Sequence, residues 1–354
     1  MKKTIMILAA VLLAAALAGC SATPKDKDDS GKTTTAAPQT TEKGGQKETT
    51  ADNTDPGTTA APQPTEAPTT EEPTTPAPTT TAAPVKDAYQ VGDTVQTKNL
   101  ILVYVASGEY ESDNQFIQPA DGNKYIFLEF YAEYNGKGST SVSSFDFEGY
   151  ADGYAVDKKY AFDNELSGSL SAGRWNQGRI YFEVPQDAKE IEVEYEVNLF
   201  TDEVIKFLYE GEQNSSFVPE KKTDATPGAL VPGDTTETKN LKVTYLGCDV
   251  AVSDNQFIQP ADGNRFIYFE LEFENIGSGE QSVSSLLFDC FADGQRCESH
   301  MMVRDDDLSA TISAGRKAKG TVVFEVPADA AVIELEYETN IISGERIVFS
   351  YVQP

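Results

Sequence analysis

From about residue 87 onward the chain alternates apolar and polar residues with a period of two. In Ile126-Phe127-Leu128-Glu129-Phe130 and in Ile267-Tyr268-Phe269-Glu270-Leu271, one set of alternate positions is uniformly apolar. Glu190 to Val197 reads Glu-Ile-Glu-Val-Glu-Tyr-Glu-Val, and Ile333 to Tyr337 reads Ile-Glu-Leu-Glu-Tyr. Successive strand side chains point to opposite faces, so these segments put acid on one face and aliphatic or aromatic groups on the other. That is the pattern of a half-buried antiparallel strand. Such runs recur roughly every dozen residues, split by Gly, Asn-Gly, Asp-Gly and Pro-Ala-Asp-Gly turns. No stretch after the N-terminal segment keeps helical periodicity over three turns. About seven to nine short strands per ~120 residues predict an antiparallel β-sandwich of the immunoglobulin kind.

The pattern occurs twice. Ser112-Asp-Asn-Gln-Phe-Ile-Gln-Pro-Ala-Asp-Gly-Asn123 recurs unchanged as Ser253–Asn264. Gly92-Asp93-Thr94 recurs as Gly233-Asp234-Thr235, and Ser141-Val142-Ser143-Ser144 as Ser282-Val283-Ser284-Ser285, all at an offset of 141. After one inserted residue the offset becomes 142, where Ser171-Ala172-Gly173-Arg174 meets Ser313-Ala314-Gly315-Arg316 and Phe182-Glu183-Val184-Pro185 meets Phe324-Glu325-Val326-Pro327. A unit this long is a whole domain rather than a solenoid repeat. The predicted fold class is therefore all-β, two tandem immunoglobulin-like antiparallel β-sandwiches after a disordered linker.

The first 86 residues carry no such pattern. Lys2 and Lys3 precede an apolar run from Ile5 to Ala16 that is short for a membrane span. The run ends in Leu17-Ala18-Gly19-Cys20, which resembles the lipobox of bacterial lipoproteins. In that family the cysteine thiol takes a diacylglycerol and becomes the new N-terminus. At roughly 0.8 kcal/mol per buried CH₂, more than one acyl chain holds a protein firmly at a membrane. From Ser21 to Lys86 the chain is Thr, Pro, Ala, Gly, Lys and acid, with no aromatic residue, Leu or Ile, so nothing offsets the entropy of ordering it. The expected division is 1–20 lipoprotein signal peptide, 21–86 disordered Thr/Pro-rich linker, 87–212 first sandwich, 213–228 inter-domain linker and 229–354 second sandwich.

Charge narrows the function. Acids outnumber bases 57 to 28, a formal net charge of −29, spread over both halves. A surface of that sign repels nucleic acid and anionic headgroups. The single histidine, His300, leaves little material for imidazole-based catalysis or zinc binding.

The order Val91-Gly92-Asp93-Thr94, Gly122-Asn123-Lys124-Tyr125, Leu170-x-Ala172-Gly173, Gly178 and Phe182-Glu183-Val184-Pro185 marks the first half and recurs, with some residues replaced, in the second. It resembles an Ig-like (telokin-like) domain of unknown function found on secreted and lipid-anchored proteins of Gram-positive bacteria. A structural relative of that family is a small mycobacterial secreted immunogenic protein. The resemblance covers about 88–210 and 229–352 and implies a fold and a compartment, with no activity, cofactor or functional residue to carry over.

Candidate chemistry is sparse. In Cys290-Phe-Ala-Asp-Gly-Gln-Arg-Cys297 a two-residue Asp-Gly turn sets the cysteines opposite each other, close enough for a disulfide, with buried reduced thiols as the alternative. Cys248 has no evident partner. Asp163 and Glu165, and Asp305 and Asp307 at matching positions, are the candidate calcium ligands, but their spacing lacks the pattern of a calcium loop. Ser284, Asp289 and His300 can be written as a triad, yet no nucleophile elbow accompanies them. Trp175 is a candidate for stacking on a sugar or gripping a partner, or for packing at a strand edge.

In the duplicated loop, Pro-Ala-Asp-Gly-Asn reads as a register-setting turn. Phe116 and Ile117, with Phe257 and Ile258, read as plugs for the open end of each sandwich. The amides Asn114, Gln115 and Gln118, with Asn255, Gln256 and Gln259, are left over and suit glycan or peptide backbone. The expected protein is a non-enzymatic, cofactor-free surface lipoprotein, held to the membrane by lipid on Cys20. Its two interaction modules would meet cell-wall glycan or a protein ligand; the alternative is a structural spacer or envelope protein without a dedicated ligand, ahead of a calcium-binding module or a polysaccharide-active enzyme.

Overall fold

The computed structural model describes residues 87–353 apart from 161, 198–203, 302 and 341–344. The signal peptide, Cys20 and the 21–86 linker read from the sequence lie outside the described residues. The first sandwich holds β1 (Thr94–Gln96), β2 (Leu100–Tyr110), β3 (Asn123–Tyr134), β4 (Ser139–Ser143), β5 (Phe147–Ala151), β6 (Tyr154–Ala155), β7 (Asp157–Lys159), β8 (Ser167–Ser171), β9 (Trp175–Pro185), β10 (Ile191–Glu196), β11 (Val204–Leu208) and β12 (Gln213–Asn214). The second holds β13 (Thr235–Glu237), β14 (Leu241–Ala251), β15 (Asn264–Asn275), β16 (Gln281–Ser284), β17 (Phe288–Ala292), β18 (Gln295–Ser299), β19 (Ser309–Ile312), β20 (Lys317–Pro327), β21 (Val332–Asn340) and β22 (Glu345–Val352). Among the described residues the helical content is two short 3₁₀ turns, Ser144–Asp146 and Ser285–Leu287. The protein is thus all-β, with two tandem antiparallel sandwiches, as the alternation predicts.

In each copy one sheet runs β1-β2-β3-β9 or β13-β14-β15-β20, and the facing layer runs β11-β10-β5 or β22-β21-β17. The apolar positions of the alternating segments meet between the layers. Phe130 stacks on Tyr104 and Phe147 and meets Phe207 edge-on, while Phe273, Phe288 and Tyr337 form the corresponding cluster of the second copy. The repeated glycine of the resemblance has a steric reason. A Cβ on Gly178 would lie 2.7 Å from the backbone nitrogen of Leu166, and one on Gly320 2.8 Å from the Cα of Leu308. Those neighbours are backbone and cannot swing aside.

The two copies touch through residues the sequence leaves ambiguous. Trp175 is 4% exposed, so it is a buried contact rather than a free sugar platform. Its backbone N–H donates to Gly294 O of the second copy at 3.0 Å. Beside it, the buried Arg174 guanidinium bonds Glu334 and Glu336 at 2.7 Å each and lies 4.8 Å over the Phe291 ring. The segment 213–228 is built into the same body. It opens with β12 on the edge of β2, and Lys222 bonds Asp293 O, Gly173 O and Glu133.

Candidate functional site

The duplicated loop folds in the same way in both copies. Asn114 Oδ1 accepts from the Phe116 N–H at 2.9 Å, and Asn255 Oδ1 from the Phe257 N–H at 3.0 Å. Gln118 Nε2 donates to the carbonyls of Ser112 and Asn114, both at 3.0 Å, and Gln259 Nε2 to those of Ser253 and Asn255 at 3.3 and 2.8 Å. Two of the three repeated amides therefore close the loop on itself, which accounts for their recurrence without a ligand. Gln115 and Gln256 lie beside them on the exposed tip.

The loop is also tied to the sheet by residues that the sequence reading left without a role. Glu183 Oε1 accepts from the Ala120 N–H at 2.8 Å and from Asn123 Nδ2 at 2.9 Å, and its other oxygen meets Lys159 at 2.7 Å. Burial works against the Glu183 charge, but these hydrogen bonds and the Lys159 ammonium outweigh it and hold the carboxyl down at about 2. In the second copy Glu325 does the same for Ala261 and Asn264, and the His300 ring, with its Nε2 3.2 Å from the carboxylate, stands near the place of the lysine. The Phe-Glu-Val-Pro repeat was the available signal for this clamp.

The result is a rigid loop that holds a phenylalanine outward. Phe116 and Phe257 are each 86% exposed. They do not plug the sandwich ends. The neighbouring Ile117 and Ile258 are half-buried, and Ile258 packs on an outer cluster of Ala251, Phe266, Val303 and Val323. Phe116 and Phe257 belong to none of the hydrophobic clusters of the described residues. An aromatic face held in water by a well-bonded turn is the most distinctive exposed feature the two copies share.

The other candidates are accounted for locally. Glu165 Oε1 accepts from the buried Ser144 hydroxyl at 2.8 Å, and Asp307 Oδ2 from that of Ser285 at 2.9 Å, so the repeated Ser-Val-Ser-Ser supplies a partner for each acid. The Asp163 carboxylate accepts from Tyr110 at 3.4 Å, and Asp305 is exposed. Among the described residues no group of three acidic, His or Cys side chains is placed to hold a metal. Cys290 and Cys297 are direct partners across the hairpin, and both are buried free thiols; Cys248 is a third free thiol. Ser284 caps a 3₁₀ turn, Asp289 faces Arg296 at 3.6 Å and His300 faces Glu325, so each of the three is engaged elsewhere.

Residues 89–205 and 232–347 each match the family described as Domain of unknown function (DUF4352). Among solved structures, the ycdA protein of Bacillus subtilis, described as a candidate lipoprotein, is 14% identical with a TM-score of 0.30, the likeness covering 33% of this chain and 38% of that one. The yjhA protein of Bacillus subtilis is 16% identical with a TM-score of 0.28, covering 34% of this chain and 97% of that one. An uncharacterized β-sandwich protein from Clostridium difficile is 10% identical with a TM-score of 0.25, covering 36% and 97%. Among proteins of curated function, none matches the chain. Among the described residues no helix is long and apolar enough to cross a membrane.

Proposed function

We propose, from the premise that this chain belongs to the DUF4352 family twice over, that it is a lipid-anchored surface protein carrying two non-catalytic, immunoglobulin-like binding modules. The lipid on Cys20 holds it at the outer face of the cell membrane, and the Thr/Pro tether carries the modules away from that face. The ligand class is the repeating glycan of the cell wall. The observation that carries this reading is the pair of identical loops, each presenting an 86% exposed phenylalanine on a self-bonded turn. Exposing such a ring costs about 2 kcal/mol relative to burying it, so a loop that could relax inward would do so. Here the Asn114 and Gln118 bonds and the Glu183 clamp oppose that relaxation. Aromatic faces stack on the apolar face of a sugar ring, and the adjacent Gln115 and Gln256 offer donors and acceptors to its hydroxyl or acetamido groups.

Two weak sites on one body suit a repeated ligand, because the second contact becomes intramolecular. Purified cell-wall sacculi should retain the wild-type protein. Phe116→Ala or Phe257→Ala should each weaken retention by about tenfold, and the double variant should abolish it. A double variant retained as well as wild type overturns the proposal. The second reading, a ligandless spacer, draws on the buried contact of Arg174 with Glu334 and Glu336, which ties the two sandwiches to each other. It is favoured if neither sacculi nor surface proteins retain the chain.

A further inference from the structure

The two copies are not finished in the same way along one sheet edge. In the first copy, β1 covers the outer edge of β2 as far as Val103, and β12 covers it at Ala106 and Ser107. The covering segment is extended and continues past β12, with the Ser215 N–H donating to Val105 O at 2.9 Å and the Ser107 hydroxyl donating to Gly211 O at 2.7 Å. In the second copy, β13 covers β14 only as far as Thr244, and a loop contact reaches Tyr245. Among the described residues no strand pairs with the outer edge of β14 from Leu246 to Ala251.

Open edges are normally guarded by charge. The first copy has that guard, in Glu109 and Glu111. At the matching positions the second copy has Val250 and Val252, 47% and 79% exposed, beside an exposed Leu246, and the one charge on this stretch of edge is Asp249, at the position of Gly108. The same exchange leaves a cation short of a partner. In the first copy Lys124 meets Glu109 at 2.5 Å. Its counterpart, Arg265, has lost that carboxylate to Val250, and its buried Nε and Nη2 have no hydrogen-bond partner. Buried guanidinium donors without an acceptor are costly, and a carboxylate is the acceptor their fork fits. Register places Val250 opposite Ile267 and Ala251 opposite Phe266, which brings Arg265 level with Val252 at the end of the open edge.

We propose that the Leu246–Ala251 edge of β14 receives an extended, acidic segment of a partner protein, added as a further antiparallel strand. The mode is the one that β12 shows on β2. The incoming backbone takes the Leu246 carbonyl, as Ser215 takes that of Val105. It also replaces the Asp249 carboxylate that now occupies the Val250 N–H at 2.7 Å. Its side chains cover Val250 and Val252, and its carboxylate meets Arg265 where Glu109 meets Lys124. Main-chain bonds supply the affinity of such strand addition and side-chain pockets its selectivity. The site is separate from the phenylalanine loops and stands or falls without them.

The test uses the full chain and a synthetic nonapeptide with the sequence of residues 209–217, Tyr-Glu-Gly-Glu-Gln-Asn-Ser-Ser-Phe, which contains the covering strand of the first copy. Amide hydrogen exchange at residues 246–251 should slow at least about fivefold at saturating peptide, with little change in β15. Arg265→Gln, or a peptide with both glutamates changed to glutamine, should weaken binding by about tenfold. Val250→Lys should abolish it, and unchanged exchange in β15 shows that this variant is still folded. Full exchange at 246–251 with saturating peptide overturns the proposal, as does equal binding by Arg265→Gln. Protection of the same edge that rises with protein concentration alone makes the occupant a second copy of this chain, which also overturns it.

Discussion

Replacing Arg174 with alanine should uncouple the two sandwiches before it unfolds either. The Arg174, Glu334 and Glu336 side chains are 8%, 2% and 5% exposed, so the variant leaves two carboxylates buried with their main countercharge removed. Breaking a buried pair in this way costs about 3–5 kcal/mol. Here the lower end applies, because part of the compensation survives. Glu334 still accepts from the Thr226 N–H and hydroxyl at 2.7 and 3.1 Å, and Glu336 keeps Arg346 at 3.3 Å. The cost is also capped, since separation of the sandwiches lets both carboxylates rehydrate. If docking is worth less than about 3 kcal/mol, the variant parts at that lower cost.

The chain carries its own reporter, because Trp175 is its single tryptophan and lies in the contact. In a urea titration of R174A, Trp175 emission should shift red at a lower concentration than the loss of far-ultraviolet β signal. The radius of gyration should rise in the same interval. Arg174→Lys keeps the charge but cannot reach both carboxylates as a fork, and should fall between. Coincident Trp175 and backbone transitions in R174A, at the wild-type midpoint, would refute the reasoning.

Gly178→Ala and Gly320→Ala should each lower stability by about 1–3 kcal/mol by overpacking against backbone, whereas Gly279→Ala, with open space around it, should be nearly neutral in the same thermal melts. Glu183 sits at about 2, below its ordinary value of 4.5, so its contribution is complete above pH 4.5 and is lost as pH falls toward 2. The melting temperatures of wild type and Glu183→Gln should therefore differ at pH 6 and converge near pH 2; a constant gap would show that the Glu183 charge is not what ties the loop. Burial first, and then the neighbouring Cys297 thiol, push the Cys290 thiol well above its ordinary range, so reduced native protein should resist iodoacetamide at Cys290 at pH 8 and react there only in denaturant. Labelling of Cys290 in the native state would refute that.

The strands, the duplication and the core faces were legible because each rests on a local rule. Period-two alternation placed Ile191, Val193 and Tyr195 inward, and they are buried. The turn Pro-Ala-Asp-Gly-Asn could likewise be read from residue chemistry. What was not legible depends on partners distant in sequence. Phe116 read as a plug because an aromatic in a loop usually finds cover, and only the Gln118 and Asn114 bonds show why it does not. Glu183 lies 63 residues from Ala120, so its clamp exists only once β3 and β9 have paired. Trp175 is adjacent to Arg174 in sequence, but Arg174 is buried against the other copy, while Trp175 packs on Val103, Tyr131 and Phe217 and reaches the other copy through its backbone bond to Gly294.

That contact also explains where the copies have diverged. It joins unlike surfaces, the Arg174-Trp175 corner of one copy and the Phe291, Glu334 and Glu336 face of the next. A head-to-tail contact of this kind would continue through further copies if each carried both halves. Each outer half differs from its joined counterpart, although the second copy keeps Arg316 at the position of Arg174. The corner of the second copy has Lys317 in place of the tryptophan, exposed and paired within its own sheet to Glu272 and Glu274 at 2.8 and 3.3 Å. On the first copy, the residues matching Glu334 and Glu336 are Glu192 and Glu194, which share Lys206 at 3.5 and 3.3 Å instead of awaiting an arginine from outside. Both changes substitute a local charge pair for an unfilled docking site, so solvent can cover faces that in the joined pair are buried. The open edge of β14 departs from that rule. There the second copy has valine where the first has Glu109, and the buried Nε and Nη2 of Arg265 have no hydrogen-bond partner, which is the opposite of what a surface settled in water requires.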